Sequence, residues 1–180
     1  MNTPEAFLKP FFIGQSVADQ LYCRLVAEVD WDQRMKSRKT ACFGQTYDDS
    51  GIDYQVRPMH PLLVLVLAQV SHALGFVPTN CLLNYYPDGD STMGHHSDAT
   101  HNLDANSGIA IVSLGASREL SFRHKHDHSQ RAGFVLPHGS LFYMSRATQD
   151  FWTHAVKRSD VQGGRISLTF RRILPLAVAA

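Results

Sequence analysis

The chain has 180 residues, of which 44% are hydrophobic and 18% are charged, so it fits one globular domain that can bury a core and excludes a disordered or fibrous chain. Its longest apolar stretch, residues 61–74, contains polar side chains and is shorter than the roughly 20 residues that span a bilayer. We therefore expect no membrane association. The first residues lack the pattern of a secretory signal, so the cytoplasm is the expected compartment.

The net charge is only +1, but the charges are unevenly distributed. Residues 1–39 carry six bases and five acids, residues 40–117 carry one base and seven acids, and residues 118–172 carry ten bases and four acids. The last segment can therefore supply a basic face. Cys23, Cys42 and Cys81 are odd in number and form no CxxC pair, so we expect reduced core residues and no disulfide framework or thiolate zinc site.

The first half of the chain carries two helical patterns. Apolar residues spaced by four from Val17 to Val29 predict an amphipathic helix with Ser16 as its N-cap. Between the helices, a basic stretch at residues 34–39 and a turn signal at residues 48–51 indicate a hairpin or surface loop. A second helix is predicted from Pro61 to Gly75, because proline favours the first helical position and glycine the position just past the end.

The second half of the chain consists of short strand patterns separated by turns. The predicted strands are residues 81–86, 109–114, 119–123, 140–144 and 165–170. Helices followed by many short strands predict the α+β class with a sandwich or jelly-roll core.

A metal-binding pattern lies in the segment GHHSD. His96 and Asp98 are two residues apart, so on an extended strand both side chains leave the same face. His154 lies among apolar and aromatic residues and can supply a third ligand. Two histidines and one carboxylate form the facial triad of non-haem Fe(II) oxygenases. A lone His-x-Asp is common in unrelated chains, so the rest of the sequence decides the assignment.

Two arginines near the C-terminus add to this pattern. Arg165 and Arg171 are six residues apart, an even offset that places both on one side of a strand. Beside an iron site, such a pair can bind the two carboxylates of a dicarboxylic cosubstrate through charge-assisted hydrogen bonds. The alternative is an exposed charged face of a strand.

Together these motifs resemble the AlkB family of Fe(II)- and 2-oxoglutarate-dependent dioxygenases. The resemblance covers roughly residues 38–173 and includes NYYPDGDSTMGHHSD, IVSLGASRELSFRHK, HGSLFYM, ATQDFWTH and RISLTFR. It implies a single dioxygenase domain over residues 1–180. The implied fold is a double-stranded β-helix, or jelly roll, with N-terminal helices and a nucleotide-recognition lid at residues 34–57.

The resemblance also implies a role for individual residues. The implied Fe(II) ligands and catalytic residues are His96, Asp98 and His154. The implied contacts to the cosubstrate 2-oxoglutarate are Asn84, Tyr86, Arg165, Ser167 and Arg171. Tyr54 matches an aromatic residue that contacts the target base. The basic residues expected to contact the phosphate backbone are Arg34, Lys36, Arg38 and Lys39.

At three places the chain departs from the related repair enzymes. Ser167 stands where the family has asparagine, which alters the contacts to the cosubstrate. Ala99 and Thr100 stand where the relatives carry acidic residues that recognise the damaged base, and Val56 replaces a second aromatic residue of the lid. These departures leave the iron chemistry in place and affect the identity of the substrate.

The leading hypothesis is oxidative dealkylation of N-alkylated bases in single- or double-stranded nucleic acid, using Fe(II), 2-oxoglutarate and O₂. The target base must be flipped out of a duplex or presented on a single strand. The alternative is the same chemistry on a peptide or a small molecule, which the low net charge and the missing acidic residues favour. A monomer is expected.

Overall fold

The computed structural model describes residues 3–49 and 51–175, which form two antiparallel β-sheets with helices on one side. The larger sheet contains, in spatial order, β1 (Ala6–Lys9), β10 (Ser140–Ser145), β7 (Gly108–Gly115), β12 (Arg165–Arg171), β5 (Asn80–Tyr86) and β2 (Lys39–Gly44). The smaller sheet contains β6 (Met93–His96), β11 (Trp152–Val156), β8 (Arg118–His124) and β9 (Arg131–Leu136). This mostly β architecture is consistent with the predicted jelly-roll core.

The larger sheet is buried on both faces, which explains why β7 and β12 are buried along almost their whole length. On its outer face, side chains such as Val112 and Leu168 pack against α1 (Gln15–Glu28) and α2 (Val64–Leu74). On its inner face, a second core joins it to the smaller sheet through large aromatic side chains. Prominent members of this second core are Tyr86, Phe122, Phe142 and Trp152.

Both predicted helices are present, with differences at the first one. The predicted N-cap at Ser16 was wrong, because α1 begins at Gln15 and its N-cap is Gly14. Val17 is 59% exposed, and Ala18 is buried in its place. Alanine contributes little to a hydrophobic pattern, so the sequence misplaced the first residue of the stripe, whereas Leu21, Leu25 and Val29 are buried as predicted. The second helix begins with a 3₁₀ turn at Pro61–Leu63 and ends at Gly75, which has a left-handed φ of 74°.

All five predicted strands are present, each longer by one or two residues. Five further strands of the two sheets were not predicted: β1, β2, β6, β9 and β11. In β1 and β9 half-buried positions alternate with exposed ones, but the apolar Phe7 and Val135 occupy exposed positions, so the sequence shows no clear alternation. A short hairpin of β3 (Asp48–Asp49) and β4 (Ile52–Asp53) lies at the predicted turn, although Ser50 is outside the described residues.

The prediction for the cysteines was correct for two of the three. Cys42 and Cys81 are buried, whereas Cys23 is exposed on α1, where it does not belong to the core. All three are free thiols. Among the described residues, no helix is long and apolar enough to cross a membrane.

Candidate active site

A cavity between the two sheets brings together the residues that the sequence singled out for the metal and the cosubstrate. Strands β5 and β12 of the larger sheet form one wall, and β6 and β11 of the smaller sheet form the opposite one. The predicted residues that line it are Asn84, Tyr86, His96, Asp98, His154, Arg165, Ser167 and Arg171. Residues as far apart in the sequence as Asn84 and Arg171 therefore line the same cavity.

The His-Asp-His cluster has the geometry of a site for one metal ion. One ligand atom from each of His96, Asp98 and His154 lies within 4.8 Å of the others. Asp98 Oδ1 lies 3.4 Å from Nε2 of His96 and 3.4 Å from Nε2 of His154. Metal–ligand bonds of about 2.1 Å at right angles would place neighbouring donor atoms about 3 Å apart. The three side chains therefore need only a small adjustment to hold one divalent ion.

Strand pairing positions two of these residues. β11 pairs with β6 so that His154 and His96 are direct cross-strand partners, and their ring centroids are 4.3 Å apart. The expectation that His96 and Asp98 share one strand was wrong, because β6 ends at His96 and Asp98 lies two residues beyond it. Asp98 still reaches the cluster, because other contacts hold the segment that carries it.

Hydrogen bonding and burial prepare the two imidazoles for a metal. His96 Nδ1 lies 2.9 Å from the carbonyl oxygen of Gly94, so a proton on Nδ1 donates to that carbonyl and leaves Nε2 free to bind a metal. Burial lowers the pKa of His154, although Asp98 opposes this effect. Neutral imidazole is the metal-binding form, so both environments suit ligation.

Asp98 is buried and ionised. Burial alone would raise the pKa of its carboxyl group, but Arg171, His154 and His96 together hold that pKa well below its usual range. Arg171 donates to Asp98 Oδ2 from Nε at 2.9 Å and also from Nη2. The remaining oxygen, Oδ1, is the one that faces both imidazoles.

Two residues that the sequence did not single out hold the backbone around Asp98. The amide of Asp98 donates to Gln149 Oε1 at 2.9 Å, and the amide of Ala99 donates to the Tyr47 hydroxyl at 3.1 Å. Tyr47 also stacks against Arg171, whose guanidinium carbon lies 3.9 Å from the ring centroid. Gln149 lies within the segment ATQDFWTH, but nothing in the sequence indicated a role for it, and Tyr47 lies outside the segments that carry the resemblance. The roles of both residues emerge only from the tertiary contacts.

Arg165 occupies the other end of the same face of β12, as its even spacing from Arg171 predicted. It is buried, its Nε donates to Ser113 Oγ at 2.9 Å, and its guanidinium lies 5.4 Å from the ring centroid of Tyr86. Burial lowers the pKa of Arg165. A buried guanidinium without a carboxylate of its own is suited to an anionic ligand.

A polar row crosses the floor of the cavity between the arginines. The strand register aligns its members from β2 to β7: Thr40, Asn84, Ser167 and Ser113. Serine at position 167 places a short hydroxyl in the middle of this row, where the resemblance led us to expect a longer amide side chain.

The residues expected to contact the nucleic acid are in different environments. Arg34 and Lys36 are exposed, with Arg34 paired to Asp32. Lys39 is half-buried on β2 opposite Tyr85, on the sheet face that points away from the cavity. Arg38 is only 6% exposed, so its expected role as a phosphate contact does not fit its position.

Tyr54, the expected base contact, is buried beside this segment. Its hydroxyl hydrogen-bonds with Thr40 Oγ1, and its side chain lines a groove together with Trp31 and Arg57. Val56, which replaces the second aromatic residue, is 60% exposed.

The donor set fits Fe(II), because two imidazole nitrogens and one carboxylate oxygen, with open positions opposite them, suit a non-haem iron centre. Iron held by these three side chains would allow oxidation by O₂, with 2-oxoglutarate supplying two of the electrons. The chain itself provides the ligands, the two arginines and the cavity between the sheets.

Fold and site together define a mostly β protein, consistent with a jelly-roll core, whose His-Asp-His cluster fits a single non-haem iron ion. A family model of the 2OG-Fe(II) oxygenase superfamily matches residues 8–171, and the chain belongs to this superfamily. Its cofactors are accordingly Fe(II) and 2-oxoglutarate, and it is a dioxygenase.

Individual relatives confirm the resemblance to the AlkB family. The chain is 35% identical over 185 residues to DNA oxidative demethylase ALKBH2 of Bos taurus, which covers 90% of this chain and 66% of the relative. It is 30% identical over 188 residues to the alpha-ketoglutarate-dependent dioxygenase alkB homolog 3 of Homo sapiens. This match covers 93% of this chain and 66% of the relative. The chain thus spans about two thirds of the length of these relatives.

A solved structure supports the fold independently. The structure of OsALKBH1 superposes with a TM-score of 0.71 over 94% of this chain and 97% of that one, at 19% sequence identity. At this identity the similarity concerns the fold alone.

Proposed function

We propose that this protein removes alkyl groups oxidatively from N-alkylated nucleic-acid bases, with Fe(II), 2-oxoglutarate and O₂. The observation that carries the proposal is the buried His-Asp-His cluster in one cavity with Arg165 and Arg171. The naming of a 35% identical relative as a DNA oxidative demethylase supports the choice of substrate. Hydroxylation of the alkyl carbon yields a hemiaminal, which breaks down to an aldehyde and the restored base.

His96, Asp98 and His154 bind the iron in this proposal. Arg165 pairs with the distal carboxylate of 2-oxoglutarate, and Arg171 lies near its α-keto acid end, where it also holds Asp98. Asn84, Ser167 and Tyr86 contact the cosubstrate from the other side. Each of these side chains lines the same cavity, so one molecule of a dicarboxylic acid can contact all of them.

The nucleic acid binds on the side of the lid, residues 34–57, which includes the hairpin of β3 and β4. Arg34 and Lys36 are accessible to phosphate groups, and Tyr54 orients the target base from its place beside Thr40. On the smaller sheet, the exposed Arg131 and the half-buried Arg123 are neighbours across β8 and β9. Three arginines of residues 118–172 are buried: Arg118, Arg165 and Arg171. Part of the positive charge of this segment therefore lies inside the protein and not on a basic face.

The same chemistry on a peptide or a small molecule is the second candidate. Ala99 and Thr100 offer no carboxylate to a cationic base, and the exposed Val56 offers no ring for stacking. These observations favour a substrate that is bound without carboxylates at positions 99 and 100 and without stacking at position 56.

The decisive experiment is turnover of oligonucleotides that carry single methylated bases, followed by mass spectrometry. Loss of one methyl group per succinate formed is the expected result, with an unmethylated oligonucleotide as the control. Succinate formation that no methylated oligonucleotide stimulates would favour the second candidate.

We propose that the enzyme acts as a monomer. Residues 1–180 act in this proposal as a single dioxygenase domain. The three free thiols fit a cytoplasmic location, where glutathione keeps cysteines reduced.

A further inference from the structure

Arg38 differs from the other bases of its segment. Arg34 and Lys36 are exposed, whereas Arg38 is 6% exposed and its Nε donates to Asn84 Oδ1 at 2.7 Å. Burying a guanidinium costs free energy unless its hydrogen bonds are satisfied. Its position therefore indicates a role inside the protein.

The contact fixes the orientation of the Asn84 amide. A guanidinium can only donate, so the Asn84 atom that faces Arg38 must be the carbonyl oxygen. The amide nitrogen Nδ2 then points elsewhere, and it makes no hydrogen bond with a described residue. Asn84 lies in the polar row between Thr40 and Ser167 and lines the cavity with Arg165. A carboxylate in the cavity is the acceptor that suits its free N–H groups.

The neighbouring residue contacts the metal side of the cavity. The carbonyl of Ser37 accepts a hydrogen bond from the amide of Thr92 at 3.1 Å. Thr92 directly precedes β6, which ends at His96. Two consecutive residues of the basic segment thus contact Asn84 and the residue that directly precedes the strand with the metal ligand His96.

We propose that Arg38 is a positioning residue for 2-oxoglutarate: it holds the Asn84 amide so that Nδ2 donates to a carboxylate of the cosubstrate. This inference rests on the proposed cosubstrate cavity and does not depend on the nature of the substrate. It also gives the segment that we expect to bind nucleic acid a direct contact with the cosubstrate site.

The test measures binding of 2-oxoglutarate to Mn(II)-loaded protein by calorimetry, without O₂ and without nucleic acid. Arg38→Ala should weaken 2-oxoglutarate binding about tenfold, which corresponds to the roughly 1.4 kcal/mol of a strong net hydrogen bond. Mn(II) affinity should remain unchanged. Arg24→Ala, which removes an exposed arginine on α1, is the matched control and should change neither affinity. Arg38→Lys keeps the charge but loses the fixed Nε donor, so it should also bind 2-oxoglutarate more weakly.

A double-mutant cycle with Asn84→Ala separates positioning from a direct contact. If Arg38 acts through Asn84, adding Arg38→Ala to Asn84→Ala should produce no further loss. Additive losses, or an Arg38→Ala protein that binds 2-oxoglutarate within twofold of the original, would overturn the inference. Normal 2-oxoglutarate binding with weakened oligonucleotide binding would instead make Arg38 a phosphate contact. If Arg38→Ala does not fold, Arg38→Lys carries the same cycle.

Discussion

Asp98 performs two tasks with its two carboxylate oxygens. Oδ2 accepts hydrogen bonds from Arg171, and Oδ1 faces the imidazoles of His96 and His154. The guanidinium and the metal therefore share one carboxylate, so a change at Asp98 affects both the metal and the electrostatics of the cavity.

We predict that Asp98→Asn lowers the affinity for Fe(II) or Mn(II) by at least about 100-fold, because the only anionic ligand of the cluster is lost while its shape is kept. Isothermal titration calorimetry with each metal measures this affinity. Asp104→Asn is the matched control, since Asp104 also pairs with an arginine, Arg172, but lies outside the cavity. Tight metal binding by Asp98→Asn would exclude this residue as a ligand.

Arg165→Lys should weaken 2-oxoglutarate binding by roughly tenfold or more and leave metal affinity unchanged. Lysine retains the charge but loses the planar fork that binds a carboxylate with two hydrogen bonds. The affinity is measured on Mn(II)-loaded protein, with Arg172→Lys as the control just beyond the end of β12. An unchanged affinity would remove Arg165 from the cosubstrate site.

At the scale of elements, we propose that a polyanion binds along the basic segment, residues 34–39. Arg34 and Lys36 are the exposed bases of this segment, so their contribution can be separated from that of the buried Arg38.

We expect Arg34→Gln combined with Lys36→Gln to weaken binding to all oligonucleotides alike. Each lost phosphate contact should lower the slope of log K against log salt concentration by about 0.7–0.9. Fluorescence anisotropy at several salt concentrations measures this slope. Lys9→Gln combined with Arg24→Gln removes the same charge elsewhere and should leave the slope unchanged. An equal slope in both proteins would place the nucleic acid away from this segment.

The sequence predicted the elements whose patterns are local. The period of two in β12 correctly placed Arg165 and Arg171 on one face, and the Pro-to-Gly pattern located the second helix. The contacts of Gln149 and Tyr47 with the segment of Asp98 connect residues about 50 positions apart. They depend on how the strands and the lid are arranged, which no local pattern encodes.

The same limit applies to the expected phosphate contact at Arg38. By sequence it is one of four similar bases, and only the pairing of β2 with β5 brings it to Asn84. Charge patterns therefore indicate where basic side chains are concentrated, but they do not distinguish an exposed basic side chain from a buried one.

For the whole molecule, we predict that the metal stabilises the fold by itself and that the cosubstrate adds stability only after the metal is bound. Mn(II) at 100 times its dissociation constant should add about 2.7 kcal/mol, because it binds only the folded state. For a chain of this length this corresponds to a rise in melting temperature of roughly 5–10 °C. 2-Oxoglutarate should add a further rise only when metal is present.

Differential scanning fluorimetry measures these shifts, with Asp98→Asn as the negative control. A rise with 2-oxoglutarate alone that equals the rise in the presence of metal would show that the cosubstrate binds independently of the metal.

Gln149, which holds the amide of Asp98, lies in the short helix α3 (Thr148–Phe151) that leads directly into β11 and His154. One stretch of seven residues, 148–154, therefore controls the location of two of the three ligands. Any displacement of this stretch moves both ligands together, so the site should lose its metal in a single step on heating. Engineering the affinity for the metal through this stretch will consequently change Asp98 and His154 together, and His96, the cross-strand partner of His154, will respond to any shift of β11 as well.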